Sequence, residues 1–318
     1  MTEPDLYGRD LFGEPIKRPS RGMVADRFVV PPFSVLSARE GWWQDRKRAW
    51  MKYGIASEIG RGDDLCYGNA MKAFDKYRVA EGKTADTKIQ GTSIFDPVLC
   101  ELAYRWFCPK GGQIVDPFAG GSVRGIVASL LGREYWGCDL SEKQIAANRV
   151  QGAEITPDNQ PTWVCGDSTH KLIDAPQADF IFSCPPYGDL EVYSDDHHDL
   201  STMPYGRFCQ GYRQIIGLAM NKLKMNRFAA FVIGDFRDKN GFYRGFVSET
   251  EWAFKMVGGN LYNEVILVTA VGSLPIRITR QFNAGRKLGK THQNMLIFCK
   301  GDPKKATQAI KAADGDEE

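Results

Sequence analysis

At 318 residues the chain has room for one large domain with additions or for two small ones. Its 43% hydrophobic and 25% charged residues and formal charge of +2 are those of an ordinary globular protein, so bulk charge argues neither for nor against a nucleic-acid partner. No apolar stretch approaches the roughly 20 residues of a membrane helix, and Met1 to Asp10 is polar, without the apolar segment of a secretory signal, so a cytoplasmic protein with no membrane partner is expected.

In chain order, residues 1–90 are rich in Pro, Gly and Arg and read as an extension on a core, with an aromatic and basic helix candidate at Trp42 to Tyr53. Pro97 to Phe107 reads as a helix with apolar Val98, Leu102 and Trp106, stopped by Pro109 and Gly111-Gly112. From Gly112 onward short β-branched runs alternate with helical patterns, which predicts a doubly wound α/β fold with a mostly parallel sheet and helices on both faces. Seven strands are expected, near Gln113 to Asp116, Glu134 to Asp139, Thr162 to Cys165, Asp179 to Cys184, Phe228 to Gly234, Asn263 to Val271 and Asn294 to Cys299. Helices are expected to begin near Gly121, Ser141, Pro204 and Ser248; Ser141-Glu142-Lys143-Gln144 has the spacing of a capping box. The core is thus placed at 91–303, and the charged, Ala-rich 304–318 is expected to be a disordered tail.

The eight cysteines are scattered, with no Cys-x-x-Cys pair, so neither a metal site nor a disulfide is expected. Cys138 and Cys299 fall in apolar strand patterns, where a thiol behaves as a small hydrophobe.

In a doubly wound sheet, ligands bind at the carboxyl ends of the central strands. The turn Asp116-Pro117-Phe118-Ala119-Gly120-Gly121-Ser122 follows the first core strand and is nearly bare of side chains, so a nucleoside cofactor can lie against its backbone and the following helix N-terminus. Asp139 closes the next strand 23 positions after Asp116, the offset at which an acidic residue accepts ribose hydroxyls. Asp167 follows the third strand, with Leu140 and Ser168 beside the two carboxylates. A purely structural role for Asp139 and Asp167, capping the helices that follow, is compatible with ligand binding. After the apolar run Ala178 to Phe182 comes Cys184-Pro185-Pro186-Tyr187, a rigid edge of carbonyls beside a flat apolar face that suits a planar amine.

The two segments, in this order, resemble the S-adenosylmethionine site and catalytic motif of amino-group DNA methyltransferases, which act on adenine N6 or cytosine N4. The resemblance implies a Rossmann-like class I methyltransferase fold and S-adenosylmethionine as cofactor. Ser122 stands where the family's pattern has its last glycine. Phe95 and Asp96, in Ser93-Ile94-Phe95-Asp96-Pro97, resemble the segment that wraps the methionine end of the cofactor, and Asp167 is implied to accept from the cofactor's adenine amine. An exocyclic amine is a poor nucleophile because its lone pair is delocalised, and fixed acceptors for its protons favour the tetrahedral nitrogen. By the family pattern those acceptors are Cys184 and the carbonyl of Pro185, and Tyr187 stacks on a base flipped out of the duplex.

The family usually has Asp, Asn or Ser where this chain has Cys184, and two readings stay open. Ser183 or a neighbouring backbone group carries the acceptor role, or the thiol attacks a ring carbon; a buried thiol without a cationic neighbour in sequence is usually inert, which disfavours the second. The polar stretch Tyr193, Asp195, Asp196, His197, His198 and Asp199 reads as a substrate-covering loop rather than a metal site, and Asp235 as a border of the substrate cleft.

Arg277, Arg280, Arg286, Lys287, Lys290 and His292 surround Phe282 without an acidic residue, a pattern that suits phosphates and an unstacked base; the plain alternative is a solvated loop between two strands. In the N-terminal helix, Arg46, Lys47, Arg48 and Lys52 mingle with Trp42, Trp43 and Trp50, which suggests either a DNA-contacting arm or a core-facing aromatic side. Pro32-Phe33-Ser34-Val35-Leu36, Trp43 to Trp50, Gly54-Ile55-Ala56-Ser57-Glu58 and Arg286 to His292 narrow the resemblance to phage and prophage DNA methylases, over about Pro31 to Lys305. It implies a bacterial or phage-infected cell and a DNA partner, and leaves a homodimer open. Methylation of RNA, of a modified phage base or of protein glutamine, and a catalytically degenerate DNA-binding protein, are the competing functions.

Overall fold

The computed structural model describes residues 28–56, 95–188, 200–272 and 274–315. Most of the 1–90 extension, Cys66, Ser93, Ile94 and the Tyr193 to Asp199 loop lie outside the described residues. Eight strands among the described residues form one sheet in the order β1-β7-β8-β6-β5-β2-β3-β4. They are β1 (Val35–Ser37), β2 (Gln113–Asp116), β3 (Glu134–Asp139), β4 (Thr162–Cys165), β5 (Ala178–Ser183), β6 (Leu223–Ile233), β7 (Asn260–Val268) and β8 (His292–Lys300). β8 runs antiparallel to β6 and β7, and the other neighbours are parallel. This is a doubly wound, Rossmann-like α/β architecture, with one strand more than the seven expected. The eighth, β1, comes from the N-terminal extension and pairs Val35 with Ile266 of β7.

The central strands bury both faces, and their side chains alternate with the period of two that a strand imposes. Phe180 and Phe182 of β5, Phe228, Ala230 and Val232 of β6, and Met295, Ile297 and Cys299 of β8 face one core. Ile181, Ala229, Phe231, Ile233, Leu296 and Phe298 face the other. The first core is covered by α1 (Gly41–Met51), α2 (Pro97–Phe107), α3 (Val123–Leu130), α4 (Glu142–Ile155) and Ala306 of α9 (Pro303–Asp314). The second lies under the short α5 (Ser168–Lys171), α6 (Tyr205–Lys222) and α7 (Phe246–Met256), with Phe254 stacked on Phe298 at 3.9 Å between centroids.

Local signals set the helix starts. Asp96 caps α2, accepting from Val98 N at 3.0 Å ahead of Pro97 in the first turn. Ser141 caps α4, accepting from Gln144 N at 3.2 Å; the N–H of Ser141 that a full capping box gives back to Gln144 goes to Asp139 Oδ1 at 2.9 Å. The segment from Lys304, expected to fray, is helical to Asp314: Asp302 caps α9, accepting from Lys304 N at 2.8 Å, and Gly315 ends it at φ +77°. Residues Arg277 to Gly285, for which a solvated loop is the plain alternative from sequence, belong to α8 (Leu274–Gly285), a helix none of whose residues is buried.

Trp43 and Trp50 of α1 are fully buried, and so form its core side. Its cations are engaged by carboxylates: Arg46 with Glu101, Lys47 with Asp96 at 3.2 Å, and Arg48 with Asp45 at 2.5 Å. Among the described residues no helix is long and apolar enough to cross a membrane, and no cluster of three or more His, Cys, Asp or Glu side chains could hold a metal. Among the described residues none of Cys100, Cys108, Cys138, Cys165, Cys184, Cys209 and Cys299 is in a disulfide, and burial pushes the pKa values of the Cys108 and Cys138 thiols up to about 12.

Candidate functional site

The site forms where the winding of the sheet reverses. β2 lies between β3 and β5, with Val115 opposite Trp136 on one side and Ile181 on the other, so the segments that leave β2 and β5 emerge side by side at the carboxyl edge. The segment after β2 is the glycine turn Asp116 to Ser122, and the one after β5 is Cys184-Pro185-Pro186-Tyr187.

Asp116 is fully buried and is the hub between them. Its Oδ1 accepts from Phe118 N at 3.1 Å and from Ser183 Oγ at 2.5 Å. Its Oδ2 accepts from Arg124 Nε at 2.5 Å and from Tyr135 OH at 2.7 Å. Arg124 reaches on to the carbonyls of Phe118 and, at 2.9 Å, Ala119, with its guanidinium 4.7 Å from the Phe95 ring centroid. Burial pushes this guanidinium down, but Asp116 beside it prevails and holds it above its ordinary value. The carboxylate is therefore turned inward, where it shapes the turn. Ser183 is likewise fully buried, and its hydroxyl proton is committed to Asp116.

Gly120 adopts φ +52°, a conformation that leaves the turn bare. Its N–H goes to Asp139 Oδ2 at 2.9 Å, and its carbonyl accepts from Asn148 Nδ2 at 2.7 Å. Ser122 is buried and donates to Gln151 Oε1 at 3.0 Å. Gln151 also holds both backbone groups of Ala56, at 2.9 and 2.7 Å, so the serine ties the turn to the end of the α1 segment. Neither Gln151 nor Arg124 stood out in the sequence, because each acts through partners distant along the chain.

Asp139 and Asp167 stand half-buried at the ends of β3 and β4 with Leu140 beside them; Asp167 accepts from Thr169 N at 2.8 Å, and Ser168 donates to Pro117 O at 2.6 Å. Phe95 packs edge-on to Phe182 at 5.7 Å. Asp96 is committed to the first two helices, capping α2 and accepting from Trp43 Nε1 at 3.1 Å.

In the second motif Pro185 is buried, and Cys184, Pro186 and Tyr187 are half-buried. The Tyr187 ring meets Phe236 and Phe246 edge-on at 6.2 and 6.4 Å, and its hydroxyl accepts from Gln293 Nε2 at 2.9 Å. A Cβ on Gly234 would lie 3.1 Å from Lys290 Nζ and 3.9 Å from Tyr187 Cε1, so this glycine leaves a gap between ring and ammonium. Lys290 donates to Asp235 O at 3.4 Å; burial pushes its pKa down, partly countered by the Asp235 charge.

The six cations proposed for nucleic acid do not act as one set. Arg277, Arg280 and Lys287 line a single cleft of about 420 Å³ with Gln281, Ala284 and Gly285. Arg286 lies over Phe282 at 5.0 Å, Lys290 turns inward to Asp235, and His292 is exposed at the start of β8.

No family model matches the chain. No curated protein matches it either. Among solved structures, TrmN from Thermus thermophilus is 17% identical with a TM-score of 0.44, over 65% of this chain and 49% of that one, so the chain spans about half the length of that structure. A TehB-like SAM-dependent methyltransferase from Corynebacterium glutamicum is 17% identical with a TM-score of 0.41, over 73% of this chain and 97% of that one. Magnesium protoporphyrin IX methyltransferase from Synechocystis, solved with bound SAH, is 12% identical with a TM-score of 0.45, over 71% of this chain and 93% of that one.

Proposed function

We propose that this chain is an S-adenosylmethionine-dependent methyltransferase that acts on an exocyclic amine of a DNA base, adenine N6 or cytosine N4. The observation that carries the reading is the junction at Asp116, where one carboxylate takes Phe118 N from the glycine turn and Ser183 Oγ from the residue before Cys184. A donor turn and an acceptor seat fixed to each other in this way suit group transfer between two ligands held in line.

The residues present fit the cofactor: the turn at Gly120 and Gly121 is bare, and two half-buried carboxylates, Asp139 and Asp167, stand at the ends of the adjoining strands. Asp139 would take the ribose and Asp167 the adenine amine, with Leu140 beside them. When bound, S-adenosylmethionine supplies an electrophilic methyl group. The chain's own part is to seat the base on Tyr187, to accept a hydrogen bond from the amine at the Pro185 carbonyl, and to exclude water with the Phe236 and Phe246 wall. Asp116 and Ser183 position the two turns and touch neither ligand. The basic cleft of Arg277, Arg280 and Lys287 supports a phosphate-bearing substrate.

A labelled methyl donor offered to DNA, RNA and protein tests the reading: label is expected in DNA, and its absence there overturns the assignment in favour of RNA, a modified base or protein glutamine. Cys184, a weak acceptor where the family has a strong one, favours a second reading, a DNA-binding protein with a disabled site. Calorimetric titration with S-adenosylmethionine, read beside the label assay, bears on it: absence of heat favours the disabled site, whereas binding without transfer of label leaves that reading standing.

A further inference from the structure

Between β6 and α7 the chain makes a tight hairpin, Phe236 to Gly245, that rises from the substrate side of the site. Its foot is Phe236, edge-on to Tyr187 at 6.2 Å, and it is closed at the base by Arg244 N to Phe236 O at 2.9 Å. Arg237 and Tyr243 form an antiparallel bridge. Nearer the tip, Asp238 N donates to Phe242 O at 2.8 Å, Gly241 N to Asp238 O at 3.0 Å, and Phe242 N to Asp238 Oδ1 at 2.9 Å. Arg237 locks the turn from the side, donating to Gly241 O at 2.8 Å with its guanidinium 4.0 Å from the Tyr243 ring centroid. The Asp238–Phe242 pair stands two residues beyond the Phe236–Arg244 pair, which at the rise of a strand is about 7 Å outward.

All of this holds one apolar side chain out in water. Phe242 is 72% exposed, the most exposed large hydrophobic side chain among the described residues. Burial of so large an apolar ring stabilises a fold, and this hairpin forgoes that while it fixes the backbone on either side. The surroundings are cationic. The Lys287 ammonium lies 2.6 Å from where a Cβ of Gly241 would stand, so the turn abuts the same lysine that lines the cleft with Arg277 and Arg280. Leu288, 71% exposed, follows that lysine directly. The acid at the tip, Asp238, is occupied by the Phe242 amide.

An aromatic ring held out beside a cleft lined by cations, next to Tyr187 of the Cys184 to Tyr187 motif, has the chemistry to enter a base stack. We propose that Phe242 is a wedge that inserts into duplex DNA at the target step and fills the gap left when the base turns out toward Tyr187. This inference rests on the DNA reading of the site. Unstacking a step costs a few kcal/mol, and an apolar ring in the gap offsets part of it, so the wedge matters for duplex and not for single strands.

The test is transfer of labelled methyl to a duplex and to the same target strand alone, by the wild-type chain and by Phe242→Ala and Phe242→Trp. Because Phe242 is exposed, the thermal midpoint of Phe242→Ala is expected to match the wild type. Its kcat/KM on duplex is expected to fall about tenfold, the equivalent of ~1.4 kcal/mol, with single-strand transfer within about twofold, duplex transfer restored by a mismatch at the target, and Phe242→Trp active. Equal loss on both substrates, or undiminished duplex transfer as expected if Phe242 instead meets a protein partner, overturns the wedge while the wild type still labels DNA. Absence of label from the wild type in every DNA overturns the wedge and the reading beneath it together.

Discussion

Replacing Asp116 by Asn separates a carboxylate that shapes the site from one that grips the cofactor. The change keeps the size of the side chain and removes the charge from a group that accepts from four donors, one of them the Arg124 guanidinium at 2.5 Å. Arg124 is 5% exposed, and stranding a buried charge costs about 3–5 kcal/mol. It keeps the carbonyls of Phe118 and Ala119 as acceptors, which points to the lower end, about 3 kcal/mol. At roughly 2–4 °C per kcal/mol for a domain of this class, the midpoint is expected to fall by about 6–12 °C. Scanning calorimetry of Asp116→Asn, Arg124→Met and the double variant checks this, because removing both partners is expected to cost less than the sum of the single changes. Cofactor titration on the same samples supplies the control. A midpoint within about 2 °C of the wild type together with a tenfold or greater loss of cofactor affinity would refute the reasoning, since the carboxylate would then act on the ligand.

The Glu101 carboxylate holds Arg46, Arg105 and Trp50 from within the core; burial pushes its pKa up, but these partners prevail and set it below the ordinary value. A depressed carboxylate contributes stability above its unfolded pKa of about 4.3 and loses it as pH falls through the lower folded pKa, so the thermal midpoint of Glu101→Gln is expected to fall less steeply with pH below about 4.3 than that of the wild type. Gly234→Ala is expected to displace Lys290, because the added methyl meets its ammonium at 3.1 Å, and to raise KM for DNA with less than about 1 kcal/mol of stability lost. Unchanged KM would remove Lys290 from the substrate side. Neutralising Arg277, Arg280 and Lys287 together is expected to flatten the salt dependence of DNA binding by about 0.9 in log–log slope for each phosphate that the protein no longer neutralises, read by fluorescence anisotropy across a salt series.

Where the pattern in the sequence is local, it predicts the elements well. β2, β3 and β4 match their expected bounds because each is a short β-branched or aromatic run between clear breakers, and Ser141 announces α4 by spacing alone. The misses have physical causes. β1 is three residues long and owes its strand state to pairing with β7, more than two hundred residues away. α8 buries none of its residues, and its apolar stripe of Leu274, Ile278 and Phe282 at helical spacing is short and interleaved with the cations that suggest binding. α9 was announced by Asp302-Pro303 and Gly315, but charge masked those signals. At the site, the two motifs were legible as segments. That Asp116 spends its acceptors on Arg124, Tyr135 and Ser183 was not, because those partners come from three other elements.

The pairing of β1 also bears on how the molecule comes together. β8 enters between β6 and β7, so β7 has no partner on that side until β8 has been made, and β1 can dock only on β7. The first strand of the sheet must wait for nearly the whole chain, a long loop to close and a feature of slow assembly. Until then the outer edge of β7 is open, and strand edges left open invite pairing between chains. Deleting Val35–Ser37 is therefore expected to show first as aggregation during refolding, before any loss of the central sheet.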